Sequence, residues 1–179
     1  MPEIKHFPKM RVAYVENAGP YGEASQRGFA KLFEWLNANN VQPVGASIGV
    51  FYDDPAKVAP ENLRSESCAP VAAGVVGSGE VKTKDIGDVE VATIIYQGEQ
   101  NIGRAYNEVY DWMRVQGYRE SGAPMETYLS KPGEELRAEI AVPIEKVPPA
   151  PKKRAAKKPA KKPAKKVAKK AKKKKPAKK

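Results

Sequence analysis

Gly19 and Gly98 lie 79 residues apart, Trp35 and Trp112 lie 77 apart, and the stretches around them share one layout. In the first half Val12-Ala13-Tyr14-Val15 reads as a strand, Gly19-Pro20-Tyr21-Gly22 as a turn, and Phe29, Leu32, Phe33 and Leu36 as one buried helix face at i, i+3, i+4, i+7 spacing. In the second half Val91-Ala92-Thr93-Ile94-Ile95 is the strand and Gly98 the turn. Ile102, Ala105, Tyr106, Val109 and Met113 form the helix face, which stops at Gly117. Extended segments follow each helix, at 46–52 and 68–76 and again at 124–130 and 135–144. A chain that writes strand-helix-strand-strand twice is held to few folds. The expectation is an α+β domain with a mainly antiparallel sheet, two helices on one face and a pseudo-twofold cleft on the other.

The last two extended segments predict which side chains share a face. With Lys131-Pro132-Gly133-Glu134 as the turn, Met125 and Leu129 fall with Leu136 and Ile140, because a slip of one residue would turn every side chain over. Glu126, Tyr128, Arg137 and Glu139 then gather on the opposite, polar face. A plain solvated surface and a ligand groove both satisfy that pattern. Trp112, Tyr14, Tyr52, Tyr96 and Tyr110 exceed what two small helix faces need, and aromatics beside a carboxylate are a common composition for ligand pockets.

Three pieces of sequence carry a family resemblance: Gly19-Pro20-Tyr21, then Ile48-Gly49-Val50-Phe51-Tyr52-Asp53-Asp54-Pro55, then Ala138-Glu139-Ile140-Ala141-Val142-Pro143. Over roughly residues 10–146 the chain resembles the GyrI-like, or gyrase-inhibitor-like, small-molecule-binding domain, which also serves AraC-type and multidrug-sensing regulators as their effector-binding domain. The resemblance implies the duplicated fold and a last-strand glutamate in an aromatic-lined cleft. Glu139 matches that glutamate and Tyr128 a tyrosine beside it. The candidate ligand residues are therefore Glu139, Tyr128, Trp112, Tyr52 and Tyr14, taking a hydrophobic or cationic small molecule by charge pairing and cation–π contact. Arg137, on the same predicted face, would weaken a preference for cations. The ten residues before the match hold no helix-turn-helix, so the expectation is a stand-alone version of the domain.

Beyond the repeat the chain changes character. Residues 151–179 contain 16 Lys and one Arg and no acidic or aromatic residue. Of the chain's 32 basic residues, 15 remain on residues 1–150 against all 21 acidic ones, giving formal charges of about −6 for the body and +17 for the tail. The predicted organisation is a domain at 1–146, a Pro-rich linker at 147–151 and a disordered polybasic tail at 152–179. Prolines at four-residue spacing and mutual repulsion deny the tail a helix. It resembles the Lys-, Ala- and Pro-rich tails of linker histones. Lys157, Lys158, Lys161, Lys162, Lys165, Lys166, Lys169 and Lys170 are its candidate nucleic-acid contacts, acting on phosphates without base reading. DNA is the expected partner; RNA, polyphosphate and anionic lipid share the chemistry.

Composition excludes several classes of chemistry. His6 is the only histidine, in an N-terminus expected to be mobile, and Cys68 the only cysteine. Ser-His-Asp and Cys-His catalysis, a disulfide and a Cys/His metal site all lack their residues, and no cofactor or metal is expected. Cys68 in an apolar stretch reads as a buried thiol. Gly74, Gly77 and Gly79 read as a hairpin turn rather than a phosphate loop, because no Lys-Ser/Thr follows. Asp53, Asp54 and Glu61 read as a structured loop, Glu99 and Glu108 as solvated charges. No apolar run is long enough to span a membrane, and a cytoplasmic, nucleoid-associated setting is expected.

The leading functional expectation is a binding module: a small-molecule pocket tethered to DNA without sequence preference. A gyrase-modulating role with a topoisomerase partner is implied by the resemblance. The enzymatic alternative, also so implied, is a hydrolase of reactive cyclopropane-bearing electrophiles, with Glu139 as general base and Tyr128 as proton donor. A third possibility is an architectural nucleoid protein.

Overall fold

The computed structural model describes residues 1–131 and 133–148. The basic tail and its eight candidate lysines lie outside the described residues. In chain order the elements are β1 (Glu3–Phe7), β2 (Met10–Ala18), α1 (Tyr21–Ala38), β3 (Ile48–Phe51), β4 (Arg64–Pro70), β5 (Lys82–Ile86), β6 (Val89–Gln97), α2 (Ile102–Val115), β7 (Tyr118–Glu120), β8 (Met125–Tyr128) and β9 (Arg137–Lys146). The strands run β1-β6-β9-β8-β3-β4-β2-β5 across the sheet, every neighbour antiparallel, with β7 beside the end of β9. The α+β class and the duplicated unit expected from the sequence are both present.

Strand register makes the repeat quantitative. Glu16 of β2 pairs with Glu66, while Ile95 of β6, 79 residues later, pairs with Glu139. Following both ladders inward superimposes Val50 of β3 on Thr127 of β8, and hence Gly49 on Glu126. Gly49 and Glu126 are also directly paired, so the pseudo-twofold axis passes between them. Following the ladders outward superimposes Lys84 on Lys5. The repeat thus includes the edge strands, and each half lends its leading strand to the other: β1 precedes β2 but pairs with β6, and β5 precedes β6 but pairs with β2. Lys5-x-Phe7-x-x-Met10-x-Val12-Ala13 and Lys84-x-Ile86-x-x-Val89-x-Val91-Ala92 carry this in the sequence.

Both helices begin after a glycine that a side chain would strain, Gly19 at φ 113° and Gly98 at φ 81°. In α1 the stripe Ala24, Gly28, Leu32, Leu36 is buried; in α2 it is Ala105, Val109, Met113. The first packs on Ala13, Val15 and Ala69, the second on Ala92, Ile94, Ala138, Ile140 and Val142. A third cluster lies on the opposite side of the sheet: Val12, Ile48, Val50, Cys68, Val91, Met125 and Ala141. Apolar side chains occupy both faces of β2, β6 and β9, which is why residues 12–15, 91–95 and 140–142 read as near-continuous apolar runs.

Several local expectations are corrected. The N-terminus is β1, with His6 opposite Glu90, because the second half needs an edge strand. The strand expected at 68–76 is β4, ending at Pro70. Gly74 to Gly79 is not a hairpin turn, since β2 lies between β4 and β5. Phe33 is 40% exposed and lies beside the buried stripe rather than in it. The largest correction is the register of β8 on β9. Glu126 pairs with Ile140, Thr127 with Glu139 and Tyr128 with Ala138, one residue away from the expected alignment. Both Leu129 N–H and Ser130 N–H donate to the Arg137 carbonyl at 2.8 and 3.2 Å, so two residues on one side of the loop answer to one on the other. Glu126 and Tyr128 consequently share the helix side, and Glu139 faces away.

Candidate functional site

On the helix side, at the pseudo-twofold axis, Glu126 is buried at 3% exposure. Its Oε1 accepts from the Tyr106 hydroxyl of α2 at 2.9 Å, and its Oε2 accepts from the Tyr96 hydroxyl of β6 at 3.1 Å. No cation pairs with it among the described residues. Burial pushes its carboxyl above the ordinary 4.5, and the two tyrosine bonds offset only part of that. The tyrosines are pushed up in turn, by burial first and then by the carboxylate beside them.

Aromatic rings surround this acid from both halves. Tyr110 stacks on Tyr106 at 6.3 Å between centroids. Tyr128 meets Phe29 of α1 edge-on at 5.6 Å, and Phe29 stacks on Phe33. Gly49, opposite Glu126, leaves room for them: a Cβ there would meet the Phe51 ring and the Tyr128 hydroxyl at 2.9 Å. Beside Tyr128 a broad open groove of about 1020 Å³ runs past Phe33, Leu129 and Leu136, with Glu99, Glu134 and Glu135 along it. Glu126 itself does not line the groove; Tyr128 belongs both to the groove and to the aromatic surround. A lone buried acid among aromatics has the chemistry of a receptor for lipophilic cations.

The other side of the sheet carries charge in pairs. Glu139 Oε1 accepts from Lys5 Nζ at 2.8 Å and from the Thr93 hydroxyl at 2.6 Å. Burial acts to raise its pKa, but the Lys5 and Thr93 bonds outweigh that and hold the carboxyl below the ordinary value. The repeat-related pair is Lys84 and Glu66, at 2.5 Å. Here Lys84 lies 4.4 Å from the Tyr14 ring centroid and donates to the Tyr52 hydroxyl at 3.3 Å. Cys68 is buried beside Glu66; burial, then that charge, pushes its thiol up, as befits an inert core residue.

The five residues read from the sequence as one pocket therefore divide. Tyr128 belongs to the helix side. Glu139 faces a cavity on the other side, Tyr14 and Tyr52 sit with Lys84 in the opposite half, and Trp112 packs partly buried against the α2 core. Glu126, expected on the polar face with Glu139, is instead the buried acid of the opposite face. The available signal was the 77-residue offset, which sets Glu126 over Gly49 in the middle of the domain.

A family model described as "GyrI-like small molecule binding domain" matches residues 1–145. A "DNA gyrase inhibitor" of Salmonella typhimurium is 24% identical over 152 residues, spanning 80% of this chain and 97% of its own. Among solved structures, the EcmrR C-terminal domain superposes at a TM-score of 0.71 with 20% identity, over 82% of this chain and 98% of its own. A hydrolase of Listeria innocua superposes at 0.60 with 16% identity, over 80% of this chain and 91% of its own. At these identities the structural likeness establishes the fold.

Proposed function

The chain belongs to the family of GyrI-like small-molecule-binding domains, and from that premise we propose that it binds a lipophilic cation on the helix side, with Glu126 as counterion. The observation that carries this reading is a carboxylate 3% exposed whose hydrogen-bond partners are two neutral tyrosines. Burial makes the charged form of such a group costly, and an organic cation seated beside it would offset that cost. The surrounding rings add cation–π attraction without the desolvation cost of a hydrated partner. The basic tail tethers this module to DNA through phosphate contacts and counterion release, and the relatives named DNA gyrase inhibitor support a topoisomerase as a protein partner.

Tetraphenylphosphonium titrated into the full-length protein by calorimetry tests the ligand class. Glu126→Gln weakens binding at least tenfold, while Glu108→Gln, on the exposed side of α2, leaves it unchanged. Equal affinity in wild type and Glu126→Gln would remove Glu126 from the site.

One observation favours a second reading, hydrolysis. Two tyrosine hydroxyls converge on one carboxylate of raised pKa, a set able to take a proton from water and return one to a leaving group. The pair would be Glu126 with Tyr106 or Tyr96, because Glu139 and Tyr128 lie on opposite faces. Product formation from a cyclopropane-bearing electrophile, lost in Glu126→Gln, distinguishes turnover from binding.

A further inference from the structure

The far side of the sheet holds a cavity of about 430 Å³, within the size range of small-molecule sites. Its apolar wall is made by Phe7, Met10, Ile48, Val91 and Ala141, which continue the core cluster of that face. Its polar lining is His6 together with Lys5, Thr93, Thr127 and Glu139, the last four from four different strands; Thr127 is the direct cross-strand partner of Glu139. Lys5 and Thr93 both bond to Oε1 of Glu139, and Oε2 has no partner among the described residues. Lys5 donates one of its three N–H bonds to Glu139 at 2.8 Å and lies 3.1 Å from Glu3 as an ion pair, which leaves a donor for a ligand. An acceptor and a donor are thus left side by side on the Lys5–Glu139 pair, which is neutral by itself; the neighbouring Glu3 side chain is 63% exposed to solvent.

We propose that this cavity is a second ligand site, separate from the cleft at Glu126, taking a neutral molecule with an apolar body and an amide-like edge in which an N–H adjoins a carbonyl. The ligand N–H donates to Glu139 Oε2 and its carbonyl accepts from Lys5. The charge logic is opposite to that of the helix side. A buried lone acid selects a cation, whereas an acid already paired with Lys5 and hydrogen-bonded by Thr93 gains less from a second positive charge than it costs to desolvate one. The same sheet therefore presents a different selectivity on each face, and this inference stands or falls independently of the cation site.

The probe is 2-quinolinone, a bicyclic lactam, titrated into ¹⁵N-labelled full-length protein and followed through amide chemical shifts. The expected result is saturable shifts at Val91, Thr93, Thr127 and Ala141 with none at Tyr106 or Tyr128. N-methyl-2-quinolinone, which lacks the donor, binds at least tenfold more weakly, because a site built to hydrogen-bond a donor rejects an analogue without it. Lys5→Met and Glu139→Ala each lower 2-quinolinone affinity by a similar factor. If Glu139→Ala does not fold, Thr93→Val and the N-methyl comparison carry the test. Equal binding of the two lactams, shifts centred on Tyr106, or no shifts up to the solubility limit would each overturn the proposal. Loss of tetraphenylphosphonium binding with retained lactam binding would sink only the cation reading, and the reverse only this one.

Discussion

Gly49 and Glu126 are cross-strand partners in the middle of the sheet and occupy the same position of the two repeats, so the pseudo-twofold axis carries a bare backbone on one side and a buried carboxylate on the other. The duplication is broken where symmetry would have set two acids against each other. Two carboxylates across an antiparallel pair would repel in a medium of low dielectric constant. One acid and one glycine leave a single counterion and room for the Tyr128 hydroxyl and the Phe51 ring beside Gly49.

Gly49→Ala tests that room. Its methyl would stand 2.9 Å from the Phe51 ring and the Tyr128 hydroxyl, so one of those side chains must move. The expected cost is about 1 kcal/mol of stability, at the low end for overpacking because side-chain ends can give way. Tetraphenylphosphonium affinity falls with it. Denaturant melts and calorimetry on one preparation check both.

The raised pKa of Glu126 sets a pH dependence. A carboxyl titrating above its unfolded value of 4.5 favours the folded state while protonated, and that contribution is lost as pH rises through the folded-state pKa. Wild type minus Glu126→Gln stability should therefore decline as pH climbs from 4.5, in denaturant melts at stepped pH. Cation binding has the opposite slope, strengthening over the same window as the acid ionises. Tyr106→Phe removes a bond that lowers this pKa, so it moves both transitions to higher pH. It also costs about 1–2 kcal/mol by leaving one carboxylate oxygen without its partner.

The two repeat-related ion pairs should differ in strength. Glu66 keeps 8% of its side-chain surface and Glu139 24%. Lys84→Met leaves a buried, unpaired carboxylate and is expected to cost about 3 kcal/mol, the low end for breaking a buried pair because Lys84 is itself 29% exposed. Lys5→Met costs less, since Thr93 still bonds Glu139 and Lys5 is 43% exposed. Equal losses in urea unfolding would contradict the burial argument.

Removing residues 149–179 should leave the melting temperature of the domain unchanged and abolish DNA binding, because the remaining body is formally about −6. The intact chain should bind unrelated duplexes alike, with log affinity falling by ~0.9 per phosphate neutralised for each tenfold rise in salt. Strong preference for one duplex would contradict a phosphate-only mechanism. Fluorescence anisotropy over a salt series measures both.

Much of this protein is legible in its sequence. Leu32, Leu36, Val109 and Met113 recur at helical spacing, and a helix's buried face depends on residues a few positions apart. The two helices, the doubling of the unit, the mainly antiparallel sheet and the buried Cys68 follow from such local patterns and from the 77- and 79-residue offsets. What the tertiary structure alone decided is which side of the sheet each acid faces. Glu126 and Glu139 lie in strands whose apolar residues occupy both faces, so alternation does not distinguish the sides. Their orientation hangs on one residue of slip in the loop from Leu129 to Leu136, where Leu129 and Ser130 share the Arg137 carbonyl. The exchange of β1 and β5 between halves is likewise a matter of long-range pairing, since each strand meets a partner some 80 residues away or on the far side of a helix. A period of two specifies that neighbouring side chains point apart; only the assembled ladder specifies which of them points at the ligand.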